Sequence, residues 1–210
     1  MSLSDNQLAL TKVYLAAFNR APEKSGLDYW VNEMDSGKSF ADVVSTIFSL
    51  DVTKEIYPTP LSDGDFVARV YANVFGKVAD TEGFAYWFGK LGSGQDRTSL
   101  VIDMVDAGVG TADGTPGKSY VLGRYTVANH AAQQQEDAGG DIGVESLKTI
   151  MAGVNGDPLT VINANATIDS VQIINAASTS GAHTPVNAAL PAEAVTLVGV
   201  HDAAHVEFGS

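Results

Sequence analysis

A duplication constrains this chain more than any other feature. Displacing the sequence against itself by 57 positions lays GLDYW at residues 26–30 on GFAYW at residues 83–87, the segments that hold its only two tryptophans. In that register Val13 falls on Val70, Tyr14 on Tyr71, Phe18 on Phe75 and Gly26 on Gly83. Tyr29 and Trp30 fall on Tyr86 and Trp87, Ser36-Gly37 on Ser93-Gly94, and Val44 on Val101. Lys12/Arg69, Arg20/Lys77, Glu23/Asp80, Met34/Leu91 and Ile47/Met104 are conservative pairs. No insertion is needed over about forty residues, so the fold is built from two copies of one supersecondary unit.

Each copy reads as helix, turn, helix, turn, helix. Leu10, Val13, Tyr14, Ala17 and Phe18 recur at the spacing of one helical face. Pro22 ends that helix and suits the first turn of the next. Leu27, Trp30, Val31 and Met34 form a second stripe closed by Gly37, and Phe40, Val43, Val44, Ile47 and Phe48 form a third. The second copy repeats this with Val67, Val70, Tyr71, Val74 and Phe75, then Phe84, Trp87, Phe88 and Leu91, then Leu100, Val101 and Met104. Between the copies, Pro58 and Pro60 in DVTKEIYPTPLSDGD predict a helix-free linker.

After the glycine-rich joint DAGVGTADGTPG, helical patterning resumes from Tyr120 to about Gln134 and from Val144 to Met151. Asp157-Pro158, a cap residue followed by proline, opens a helix to about Ile168. Val171–Ile174 and Ala194–Val200 read as short strands, with a loop from Ala176 to Pro191 between them. The expected fold is therefore mainly α: two tandem three-helix repeats plus further helices, with a small β-containing C-terminal part. The divisions are repeat 1 at 1–57, repeat 2 at 58–110, an additional helical segment at 111–169 and the β-containing region at 170–210.

Composition narrows the function classes. The chain has 25 acidic against 12 basic side chains, a net charge of −13, and no basic patch with which to displace counterions from nucleic acid. The same deficit disfavours anionic membrane surfaces, and no apolar run approaches a membrane-spanning length. Cysteine is absent, which excludes disulfides and thiol chemistry. The opening residues lack a basic stretch followed by an apolar one, so a classical signal peptide is not expected. Every Lys and Arg lies between Lys12 and Lys148, and from Thr149 onward only acids remain.

Tyr14, Phe18, Arg20, Pro22, Gly26, Tyr29-Trp30 and Gly37 together resemble the motif of domain-of-unknown-function family 4214. The first copy matches the pattern well. The second is looser, with Lys77 for the arginine, Ala79 for the proline and Ala85 before the Tyr-Trp pair. GKSYVLGRYTVANHAAQ and GVNGDPLTVINANATI resemble the helical region that follows such domains in bacterial surface proteins. VTLVGVHDAAHVEFGS resembles the end of proteins exported by type I machinery. The resemblance implies a secreted or surface-associated bacterial protein and carries over no catalytic residue. The glycine-rich nonapeptide calcium repeats of such proteins are not in this sequence.

Other motifs have plainer readings. ADGTPGKS, Ala112 to Ser119, satisfies a relaxed P-loop pattern but follows a helix rather than a buried strand, so it reads as a linker. His201 and His205 have the spacing of a zinc pair without the glutamate of H-E-x-x-H. Asp63-Gly64-Asp65, Asp113-Gly114, Asp137 with Asp141, and Asn155-Gly156-Asp157 could meet calcium, and each is also what a turn or cap requires. No G-x-S-x-G elbow is present. The tryptophans, in phase with apolar stripes, are expected in the core, because burying such a ring removes about 150–250 Å² from water. Tyr29 and Tyr86, one step round the helix, are the candidate contact residues.

The functional expectation is a non-catalytic extracellular or cell-surface protein acting in assembly or adhesion and exported by a type I-like route. Its partners would be a surface polymer or other copies of itself, with no nucleic acid and no membrane insertion. A carbohydrate- or calcium-dependent binding module is the alternative, and an enzyme with its site at the repeat interface a second one.

Overall fold

The structure, a computed structural model, describes residues 2–58, 60–110 and 117–175. Repeat 1 folds as α1 (Asp5–Phe18), α2 (Lys24–Asp35) and α3 (Phe40–Ser49), followed by a short α4 (Asp51–Ile56). Repeat 2 folds as α5 (Asp63–Phe75), α6 (Thr81–Gly92) and α7 (Arg97–Gly110). Then come α8 (Lys118–Ala138), β1 (Gly140–Asp141), α9 (Val144–Ala152), α10 (Pro158–Ser170) and β2 (Ile174–Asn175). The chain is mainly α, as its periodicity predicts.

Capping chemistry sets the boundaries. Ser4 and Ser39 start α1 and α3 with capping boxes, their hydroxyls accepting from the third amides while Gln7 and Asp42 accept from the cap amides. Ser62 caps α5, and Asp157 with Pro158 opens α10 as the sequence predicts. The second helix of each repeat ends in the same reverse turn. Gly37 N–H donates to Met34 O and Lys38 N–H to Glu33 O; Gly94 N–H donates to Leu91 O and Gln95 N–H to Lys90 O. The turn needs a left-handed residue, and Gly37 and Gly94 supply it at φ 103° and 96°.

Four sequence expectations are corrected. The linker between the repeats is not helix-free: Leu50 in extended backbone precedes α4, and Thr53 Oγ1 donates to Ile47 O from inside the core. Phe88, in phase with its stripe, is 44% exposed, because among the described residues the second helix of repeat 2 packs chiefly against α5 and α7. The helix read as Tyr120–Gln134 runs four residues further, to Ala138. Val171 ends α10 in place of starting a strand; the β element is two residues, Gly140 opposite Asn175 and Asp141 opposite Ile174. Ala194–Val200 and the export-like tail lie outside the described residues.

The core consists of three connected clusters, and α1 borders all of them. Leu10, Val13, Tyr14, Ala17 and Phe18 pack with Leu27, Trp30, Val43, Val44 and Ile47 inside repeat 1. Ala16 faces Tyr57 and the repeat 2 cluster around Val70, Trp87 and Met104. Leu15 faces Val127, Ala131, Leu147 and Ile168 from α8, α9 and α10. A single apolar stripe is therefore too narrow a description: α1 is buried on every side from Val13 to Phe18.

Tyr57 locks the repeats together. Its hydroxyl donates to Ala16 O at 2.7 Å and accepts from Asn73 Nδ2 at 2.9 Å, joining α1 to α5. Burial pushes its phenol up from 10.0 to about 12. Below pH 10 both folded and unfolded chains keep the proton. Between pH 10 and 12 only the unfolded chain loses it, so this group's contribution to stability falls as pH rises through that window. Tyr57→Phe should cost about 1–2 kcal/mol at pH 7. The wild-type advantage should shrink by about 1 kcal/mol at pH 11, measured as the gap between the two urea unfolding curves.

Candidate functional site

The Gly-x-x-Tyr-Trp segment adopts the same geometry twice. Trp30 and Trp87 are buried, at 1% and 7% exposure, each within its own repeat's cluster. Tyr29 meets Trp30 edge-on at 4.8 Å between centroids, and Tyr86 meets Trp87 at 4.9 Å. Gly83 gives the close approach that the motif requires: a Cβ there would lie 3.1 Å from Asp80 Oδ1 and 3.3 Å from the Tyr71 hydroxyl. The motif is thus a packing unit first. Tyr29 is half-buried, while Tyr86 is 56% exposed beneath Lys90, whose Nζ lies 5.6 Å from its ring centroid.

The two copies diverge at the turn before this helix. In repeat 1, Arg20 and Glu23 form a buried ion pair, Nη1 to Oε2 at 2.7 Å, and the guanidinium lies over the Tyr14 and Phe18 rings. Glu23 then makes no cap. The first amides of α2 are met instead from elsewhere in the chain: Lys24 N–H donates to Gln135 Oε1 at 3.3 Å and Ser25 N–H to Asp141 Oδ1 at 2.8 Å. In repeat 2 the counterparts Lys77 and Asp80 are a loose, open pair at 3.7 Å. Asp80 caps its own helix, and the Gly83 amide bonded to it holds the carboxyl below the usual range. Ala21 is fully buried, yet its counterpart Val78 is 86% exposed.

Two buried polar side chains of α8 complete repeat 1. Gln135 uses its whole amide: Oε1 accepts from Ile142 N–H at 2.8 Å as well as from Lys24, and Nε2 donates to Pro22 O at 2.9 Å and Ala131 O at 3.0 Å. Arg124 donates from Nη1 to Met151 O at 2.5 Å, and from Nη2 to Asn19 O at 2.9 Å and Asn19 Oδ1 at 2.7 Å. Those carbonyls end α9 and α1, so one cation sits at two negative helix ends. Burial lowers the Arg124 pKa, and the ring of Tyr120 lies under its guanidinium. Sequence reading singles out neither Gln135 nor Arg124, nor Tyr57. A buried-phase Arg and Gln within an otherwise alanine-rich helix is the available signal.

Other sequence candidates fall into structural roles. Asp63 receives Arg97 from α7 at 2.6 Å, and Asp65 meets the Ser62 cap. Asn155 Oδ1 accepts from Asp157 N–H, closing the turn before α10. Asp141 caps α2, as above. Among the described residues no group of three or more His, Asp and Glu side chains converges as a metal site. His130 pairs with Asp169 of α10 at 2.7 Å. Asp113-Gly114, His183, His201, His205 and most of the ADGTPGKS segment lie outside the described residues. At the repeat interface, a void of about 10 Å³ is lined by Leu15, Asn73, Val74, Val105, Val121 and Arg124, room for one water and for no larger ligand.

The described fold is mainly α, and the Tyr-Trp unit occurs in it twice, each time on the second helix of a helical repeat. Residues 45–108 match the family model described as Domain of unknown function (DUF4214), which supports that domain family from the end of α3 through α4 and most of repeat 2. The first copy's motif, Tyr14 to Gly37, lies before the matched stretch. No curated protein and no solved structure matches the chain.

Replacing Gln135 by Leu removes the acceptor for the buried Ile142 amide and the part-buried Lys24 amide, and the donor for Pro22 O and Ala131 O. Each orphaned group costs about 1–3 kcal/mol, so the variant should lose roughly 3 kcal/mol or more of unfolding free energy. Hydrogen exchange at the Ile142 and Lys24 amides should accelerate more than at Leu100 in repeat 2.

Proposed function

We propose that this protein is a non-catalytic extracellular or cell-surface bacterial protein that acts in assembly or adhesion and leaves the cell by a type I-like route. The observation that carries the reading is where its polar chemistry is placed. Arg124, Gln135 and Tyr57, buried groups suited to chemistry, are each committed to holding helix ends, and the buried Arg20 and Glu23 are paired with each other. Large apolar side chains on α6 and α10 (Tyr86, Phe88, Leu159 and Ile162) are meanwhile left exposed on a chain of net charge −13. The resemblance of the C-terminal residues to type I export signals, and their lack of any Lys or Arg after Lys148, support the route. The partners of this reading are a surface polymer or further copies of the chain, and no cofactor is required.

Deleting residues 176–210 removes no described element and should abolish appearance of the protein in the medium or on the cell surface. Continued export of the shortened chain overturns the route. Retention of the full-length protein in the cytosol of its own cells overturns the extracellular reading itself.

A second reading, a carbohydrate-binding module, is favoured by Tyr86: an exposed ring, propped edge-on by a buried tryptophan and flanked by Lys90, is a rigid stacking platform. Tyr86→Ala should then abolish glycan-array binding with the melting temperature within a few degrees of wild type. Tyr29→Ala should have less effect on binding, because that ring is half-buried.

A further inference from the structure

The turn between α9 and α10 carries the chain's single Asn-Gly step, Asn155-Gly156. In such a step the main-chain nitrogen reaches the preceding side-chain amide most easily, because glycine puts no Cβ in the way. Packing fixes the glycine here. Gly156 stands at φ 92°, and a Cβ on it would lie 2.7 Å from Tyr120 N and 2.9 Å from the Ser119 carbonyl carbon. Those are backbone atoms in the first turn of α8, which cannot move aside as a side chain would.

Asn155 is exposed to water, and its side chain is folded back along the chain. Its Oδ1 accepts from Asp157 N–H at 3.0 Å, and the ring closed by that bond includes the Gly156 nitrogen. The Thr160 hydroxyl lies 3.3 Å from the same Oδ1 and 2.7 Å from Asp157 O, so its proton can turn to either. Among the described residues the Gly156 N–H has no hydrogen-bond partner. A free main-chain N–H thus sits beside a side-chain amide whose carbonyl oxygen faces two donors. These are the parts of an intramolecular acyl transfer: a nucleophile held next to its carbonyl, and donors aimed at the oxygen on which negative charge develops.

We propose that Asn155 is a site of self-modification, at which the folded turn promotes attack of the Gly156 nitrogen on the Asn155 side-chain carbon. The nitrogen gives its proton to water and bonds to Cγ, placing negative charge on Oδ1 opposite Asp157 N–H and the Thr160 hydroxyl. The Cγ–Nδ2 bond then breaks, and Nδ2 takes a proton back from water and leaves as ammonia. A five-membered succinimide remains, and water opens it. Breaking the bond from Gly156 N to Cγ gives aspartate in a normal backbone. Breaking the bond from Gly156 N to the main-chain carbonyl carbon of residue 155 gives isoaspartate. In sum water is consumed and ammonia released, with no oxidant or reductant. Either product adds a negative charge to the turn, and isoaspartate also adds a methylene to the backbone beside Gly156, where Tyr120 leaves no room. The inference is independent of the assembly reading, since it concerns the purified chain alone.

The test is peptide mapping by mass spectrometry of the full-length protein during incubation near neutral pH, following the mass gained when an amide becomes a carboxyl. Asn155 should convert before any other asparagine. Folded protein should convert it about threefold or more faster than the same chain held unfolded in guanidinium chloride, because only the folded turn aims donors at Oδ1. Thr160→Val removes one of those donors and should slow conversion by about threefold. Asn155→Gln, whose longer side chain closes a ring far less readily, should abolish conversion at this position. Circular dichroism checks that the variants fold; if Thr160→Val does not, the comparison of folded with unfolded wild type decides alone. A folded chain that converts Asn155 no faster than the unfolded one, a first conversion at another asparagine, or a folded Thr160→Val that reacts at the wild-type rate overturns the proposal.

Discussion

The last turn of α1 is buried through Phe18, although the cap residue Asn19 is exposed, and its carbonyls are met by protein groups. A helix leaves its final C=O groups without partners in its own backbone, and water normally supplies them. Burial on every side removes that option for α1. Tyr57 therefore donates to Ala16 O, and Arg124 donates to Asn19 O and its side chain. Asn19 adopts the left-handed conformation at φ 55°, which turns its N–H back to Leu15 O. The α8 helix must lie where Arg124 can reach, and α4 must place Tyr57 between the repeats. Much of the arrangement follows from satisfying that one helix end.

The two repeats show how one sequence pattern serves two environments. Repeat 1 lies under α8, α9 and β1, so its Arg–Glu pair is desolvated and α2 takes its caps from residues more than a hundred positions away. In repeat 2 α8 packs on α5 and α7, and α6 packs chiefly against those same two helices. Lysine and aspartate replace the pair, Asp80 caps its own helix, and the residue corresponding to Ala21 stands open as Val78. Breaking a buried pair is far more costly than breaking an exposed one. Equivalent substitutions in the two repeats are therefore not equivalent experiments.

The repeated register, the helices, the Gly37 and Gly94 turns and the burial of both tryptophans were legible in the sequence, because local periodicity and turn chemistry fix them. Long-range polar pairing was not. Gln135 reads as one of three glutamines in QQQ, and nothing in that run marks which one turns inward to meet Pro22 O and Ile142 N–H. Tyr57 sits beside Pro58 in what reads as linker, and α4 needs Leu50 and the Thr53 hydroxyl bond to form at all. Phe88 carries the phase of a core residue, yet whether a partner covers that phase is a property of the whole assembly of helices. The candidate contact residues Tyr29 and Tyr86 share a position in the pattern but differ in exposure for the same reason.

The trans-caps of α2 also impose an order on events. The amides of Lys24 and Ser25 wait for Gln135 and Asp141, and Asn19 waits for Arg124, separations of 111, 116 and 105 residues. Repeat 2 closes its corresponding helix with a bond spanning three residues. Loops that long are slow to close, whereas three-residue ones form early. The bonds that cap α2 and close α1 therefore need residues 124 to 141 in place, whereas the Asp80 cap needs only its own helix.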